Sequence, residues 1–355
     1  MPESLCIPEF RLENGRVLFD VPVVYQTWGA LNDAGDNVVV ICHALTGDTD
    51  VEAWWGPLLG PGAVFDTDRF FVVCANVPGS PYGTVSPLTV NPETRKPYGP
   101  DFPVVTIRDT VALHKQVLDH LGVNQVAVAA GGSMGAMQVL EWAFYGDYVQ
   151  ALIPLAVGGR HSAWCIGWSE AQRQAVYADP KWQGGAYDPS DPPTAGLAAA
   201  RMMAMVSYRS RRSFETRFGR EVMPGGGEEP FAIESYLRYQ GEKLVNRFDA
   251  NCYVRLTQTM DTHDVARGRG PYEKVLRSIK QPALVVGFDS DVLYPVEEQR
   301  ELAEHIPDAE LHVVECLHGH DSFLIEFERL DAIIRPWMES NLEKYGSPAA
   351  AGAYL

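Results

Sequence analysis

The chain has 355 residues, 46% hydrophobic and 21% charged, with 46 acidic against 29 basic side chains and a formal net charge of −17. This length suits one large core, or a core with an inserted subdomain, and the acidity disfavours non-specific binding to nucleic acid or anionic membrane. It contains no run of ~18 apolar residues to cross a membrane, and MPESLCIPEFRLENG lacks the basic-then-apolar order of a signal peptide, so a cytoplasmic location is expected.

In chain order, VVVIC (Val38–Cys42), FFVVCAN (Phe70–Asn76), QVAVAA (Gln125–Ala130), ALIPLAV (Ala151–Val157), ALVVG (Ala283–Gly287) and ELHVVEC (Glu310–Cys316) are short continuous apolar runs. Such runs suit parallel strands buried on both faces. Helical periodicity falls between them, as in TIRDTVALHKQVLDHLGV, where Ile107, Val111, Val117, Leu118 and Leu121 recur before Gly122. Further helices are expected at MQVLEWAF, Val296–Ile306 and Ser322–Leu342. The alternation predicts an α/β fold with a mostly parallel sheet flanked by helices. It stops over residues 158–280, where helical patterns such as TAGLAAARMMAMVSYRS and FAIESYLRYQGEKLVNRF alternate with loops such as DPSDPP and MPGGGEEP. This stretch reads as a helical cap inserted into a core of residues 1–157 and 281–345, and the tail from 346 reads as disordered.

The six cysteines form no CxxC pair, and no Cys/His set has zinc spacing. Buried free thiols are expected, with no metal and no bound cofactor. Six arginines between Arg201 and Arg220 could form a local basic pocket in the acidic chain.

The run Gly131-Gly132-Ser133-Met134-Gly135 follows a strand and opens a helix. G-x-S-x-G in that context is the nucleophile elbow of α/β-hydrolase folds, with Ser133 on a strained turn at a helix N-terminus. A serine nucleophile needs a base, and the base needs an orienting carboxylate, in the chain order Ser, acid, His. Asp289 or Asp291 follows one late strand, and His318 or His320 follows the last. Oxyanion donors are expected from the backbone N–H of Met134 and, in the loop HALTGD, of Leu45.

The motifs CHALTGD, WWGPLLGPG, NVPGSPYGTVSP, GGSMGAMQ, WCIGWSEAQRQAVYADP, SYRSRRSFETRFGR, THDVARGRG, SDVLYP and GHDSFL resemble the homoserine O-acetyltransferase family. The resemblance runs from about Phe10 to Leu342, and some segments look like its fungal branch, which also resembles deacetylcephalosporin C acetyltransferases. It implies Ser133 as nucleophile, Asp291 rather than Asp289 as acid, and His320 rather than His318 as base. It also implies Arg201 and Tyr208 as acceptor-pocket residues, and Asp321 as contact for the acceptor's ammonium. With it come acetyl-CoA as co-substrate, L-homoserine as acceptor, and a homodimer through the cap helices. Rival readings are an esterase with the same triad, and the same transfer with L-serine, deacetylcephalosporin C or a succinyl donor. ARGRG around Arg267 could reach a phosphate of the donor, although a plain loop is the simpler expectation.

Overall fold

The computed structural model describes residues 1–223 and 230–342; the middle of the MPGGGEEP loop and the expected disordered tail lie outside them. Eight strands form the central sheet: β1 (Glu3–Arg11), β2 (Val17–Trp28), β3 (Val38–Cys42), β6 (Phe71–Ala75), β7 (Val126–Gly132), β8 (Leu152–Leu155), β9 (Ala283–Phe288) and β10 (Ala309–Val314). Two short strands, β4 (Leu59–Gly60) and β5 (Phe65–Asp66), pair only with each other. The sheet order is β1-β2-β6-β3-β7-β8-β9-β10, parallel from β6 onward, with β1–β2 and β2–β6 antiparallel.

Six strands coincide with the apolar runs. The β1–β2 hairpin does not, because its residues are only intermittently buried at the sheet edge, so no continuous apolar run marks it. In β3, β7 and β9 every residue is buried.

Helices α1 (Val51–Trp55), α2 (Ile107–His120) and α3 (Met134–Trp142) fall between the early strands; α10 (Val296–His305) and α11 (Phe327–Asn341) follow β9 and β10. Helix α2 starts in a capping box: Thr106 Oγ1 accepts from Asp109 N, and Asp109 Oδ2 accepts from Thr106 N. The helix expected from Ser322 begins instead at Phe327, because Gly319–Leu324 forms a 3-10 turn that carries the last catalytic candidates. Between β8 and β9 lie α4 (Ala163–Tyr177), α5 (Thr194–Tyr208), α6 (Arg211–Arg217), α7 (Ala232–Val245), α8 (Ala250–Asp261) and α9 (Tyr272–Leu276). Helix α5 packs on α4 and α7 and reaches the 3-10 turn after β10, so this insertion meets the carboxyl ends of the strands. All six cysteines are free; five are buried and Cys6 is exposed on the edge strand, a departure from uniform burial.

Candidate active site

Ser133 stands between β7 and α3 with φ 58° and ψ −125°, a backbone state that L residues rarely adopt. Its neighbours are glycines for steric reasons. A Cβ on Gly135 would lie 2.0 Å from Cys42 O on β3, and one on Gly132 would lie 2.4 Å from the Phe323 ring. The first residue of α3, Met134, has a backbone N–H with no helical acceptor.

Asp291 and His320 come together at the ends of β9 and β10. His320 Nδ1 lies 2.7 Å from Asp291 Oδ2. Asp291 Oδ1 accepts from the backbone N–H groups of Leu293 (2.8 Å) and Tyr294 (2.9 Å), which fixes the carboxylate in plane. Both side chains are buried. An ionised Asp291 holds the ring proton on Nδ1 and leaves Nε2 as the basic nitrogen. That Nε2 is buried and meets no hydrogen-bond partner among the described residues. Rings of Tyr294 (5.2 Å), Phe323 (5.6 Å) and Tyr208 (5.7 Å) surround the imidazole, and Trp55 Nε1 donates to Phe323 O at 2.8 Å, so the wall is itself braced. The two alternatives sit elsewhere. Asp289 accepts from Cys316 N at 2.8 Å and so ties the ends of β9 and β10, while His318 faces Glu326 at 4.0 Å.

The loop after β3 is built on His43. Val77 N–H donates to His43 Nε2 at 3.1 Å, so that nitrogen carries a lone pair and the proton sits on Nδ1, which donates to Ala44 O at 2.9 Å. Burial lowers the His43 pKa and keeps this neutral form. Gln138 of α3 donates to both His43 O and Met134 O. Leu45, next in this loop, is buried. The loops carrying the two oxyanion candidates are thus joined by one glutamine side chain.

Arg201 and Tyr208 lie two turns apart on α5, with the Arg201 guanidinium 5.6 Å from the Tyr208 ring centroid. Burial pushes the Tyr208 phenol up to about 12. Asp321 is paired with a residue outside the motif-implied site: Arg209 Nε lies 3.1 Å from Asp321 Oδ2. Burial raises the Asp321 pKa against the opposing fields of Arg209, Arg201 and His320. The sequence places Arg209 only among the six arginines of one local basic pocket, and the structure divides that pocket. Arg201 and Arg209 face Tyr208 and Asp321, whereas Arg217 and Arg220 lie over the rings of Tyr236 and Phe231. Arg267 pairs with Glu13 at 2.8 Å and Arg269 with Glu141, so ARGRG braces the insertion against the core.

A sequence model of the alpha/beta hydrolase fold matches residues 37–326. The chain is 62% identical to the homoserine O-acetyltransferase of Salinibacter ruber, over 95% of this chain and 97% of that one. It is 57% identical to the homoserine O-acetyltransferase of Nostoc punctiforme, over 94% of each. Its structure resembles the crystal structure of esterase E22, with a TM-score of 0.87, 27% identity, and coverage of 96% of this chain and 100% of the other. Built on the α/β-hydrolase fold and sharing most of its length with such relatives, the chain belongs to the homoserine O-acetyltransferase family of transferases.

Proposed function

We propose that this protein transfers the acetyl group of acetyl-CoA to the side-chain hydroxyl of L-homoserine through an acetyl-Ser133 intermediate. The observation that carries the reading is the Asp291–His320 pair, with its buried Nε2, beside the Asp321 carboxyl that lies in the positive fields of Arg209 and Arg201. His320 takes the Ser133 proton while Ser133 Oγ attacks the thioester carbonyl. Backbone N–H groups of Leu45 and Met134 receive the oxyanion. The tetrahedral adduct collapses, the C–S bond breaks, and His320 returns the proton to the CoA sulfur. The acceptor hydroxyl then gives its proton to His320 and attacks the acetyl ester, and the proton returns to Ser133 as the product leaves. Arg201 binds the acceptor carboxylate and Asp321 its ammonium, so a zwitterion is chosen over water. Asp321 is held by Arg209, so the acceptor ammonium must share or displace that partner.

On this reading the enzyme works in the cytoplasm, in methionine synthesis, as a homodimer through the inserted helices. Exposed Trp164, Val206 and Tyr239 on α4, α5 and α7 support that association. Among the described residues no helix is long and apolar enough to cross a membrane.

The likeness to esterase E22 favours hydrolysis as the second reading. Thiol release from acetyl-CoA separates the two. Fast continuous release with L-homoserine, slow continuous release with L-serine and, without acceptor, only the single burst of thiol that accompanies acylation of Ser133 is the expected result. Serine differs by one methylene, which a pocket distinguishes by only about 1–3 kcal/mol, so its arm tests the acceptor. Equal release with and without acceptor would replace the transferase reading by the esterase one. A Ser133→Ala variant that still forms an acetyl-enzyme would refute the assigned nucleophile.

A further inference from the structure

Arg247 lies in the turn between α7 and α8 and reaches across to the loop after β3. Its Nη1 donates to Thr46 O at 2.8 Å and also contacts the Tyr82 hydroxyl. Thr46 C=O and Gly47 N–H belong to one planar peptide unit and point to opposite sides of it. Gly47 N–H donates to Ala44 O at 2.9 Å. Ala44 C=O and Leu45 N–H form another peptide unit and again point opposite ways. The series therefore runs from the guanidinium through two peptide units, with every donor aimed the same way, and ends on Leu45 N–H. A cation bound to the first carbonyl polarises the amides behind it, and aligned hydrogen bonds strengthen one another.

We propose that Arg247 is a positioning residue for the oxyanion hole: it orients and polarises the Leu45 N–H through the Thr46–Gly47 and Ala44–Leu45 peptides. The inference rests on the reading that Leu45 N–H receives the oxyanion. Two other tethers of this loop, His43 on Ala44 O and Gln138 on His43 O, come from the buried core. Arg247 belongs to the inserted segment and is exposed, so it ties that segment to the step at which negative charge appears on the substrate. Exposure also makes it replaceable without opening the core.

The test compares Arg247→Lys, Arg247→Gln and Arg247→Ala in burst kinetics with two donors, acetyl-CoA and p-nitrophenyl acetate. The rate constant for Ser133 acylation is expected to fall about 10-fold in Arg247→Ala with both donors, less than the ~100-fold or greater loss for deleting an oxyanion donor outright. Donor dissociation constants should stay within about twofold, because the effect lies in the transition state. Lysine should restore most of the rate. Glutamine, which keeps a donor but no charge, should fall between. A weaker dissociation constant for acetyl-CoA with unchanged ester acylation would overturn the proposal and make Arg247 a contact for the anionic half of the donor. Unchanged acylation in all three variants would also overturn it. The ester arm needs no acceptor, so a wild-type enzyme that fails to acetylate homoserine refutes the proposed acceptor while leaving this test intact.

Discussion

On the nucleophile side of the site, position is set by the backbone. Ser133 is held at φ 58°, Gly135 leaves no room for a Cβ against Cys42 O, and Asp291 is fixed by two main-chain donors. On the proposed acceptor side, position is set by charged side chains: Arg209 meets Asp321 from a distant segment, and Arg201 lies against Tyr208 of its own helix. The contrast separates two tasks. Stabilising a charge that exists only in the transition state needs donors that do not reorganise. Choosing an acceptor needs charges that can exchange one partner for another.

The largest effect that tests this contrast is expected from Asp291→Asn. The fold should survive, while His320 loses the partner that keeps its proton on Nδ1, and kcat should fall by roughly 10⁴-fold. Steady-state kinetics with an unchanged thermal midpoint checks it; a loss under about tenfold would remove Asp291 from the catalytic machinery.

Gly135→Ala should cost about 4 kcal/mol or more, since the clash is with a backbone carbonyl on β3 that cannot move alone. Gly132→Ala meets a side chain instead, so Phe323→Leu should recover part of its loss. Denaturant titration of these variants measures both, and an equally stable Gly135→Ala would break the claim that backbone crowding holds this side.

Buried histidines sharpen the contrast through pH. Burial lowers the pKa of His114 and of His263 to about 4, against an ordinary value of 6.5. Their folded pKa lies below the unfolded one, so the unfolded chain takes up protons first and stability is lost as pH falls from 6.5 towards 4. For His114 alone this amounts to something on the order of 3 kcal/mol. Glu298, whose burial raises its pKa to about 7, acts in the opposite sense. Comparing wild type with His114→Gln isolates the term: wild type should lose stability relative to the variant as pH falls from 7 to 4. Parallel curves would refute it.

On the acceptor side, Asp321→Asn should lower kcat/KM for homoserine by about 10- to 100-fold, the scale of one charge-assisted hydrogen bond. Acylation by acetyl-CoA should hardly change. Because burial raises the Asp321 pKa, it takes up its proton at higher pH than an ordinary aspartate. The wild-type to variant ratio of kcat/KM for homoserine should therefore shrink as pH falls, since effects on the groups both proteins share cancel in the ratio. An equal loss in acylation would show that the two sides do not divide the work.

Much of the nucleophile side was legible in the sequence because its causes are local. The strand, the glycines and the helix that force Ser133 into its turn are contiguous, and the acid and base follow strands marked by apolar runs. The residues alone left Asp289 and Asp291 open, and His318 and His320. Each pair stands two apart on one loop, and nothing local says which side chain turns inward; the motif resemblance chose Asp291 and His320. The β1–β2 hairpin is not marked in the sequence, because a half-exposed edge lacks a continuous apolar run.

The sequence by itself determined the α/β alternation, the elbow and the order of its chemical groups, since these depend on backbone states and burial patterns within a few residues. Only the tertiary structure decided that Asp291 meets His320, that Arg209 occupies Asp321, and that Arg247 reaches Thr46 from 201 positions away. Such partners are selected by how packed elements bring their ends together, and sequence spacing carries no record of that distance.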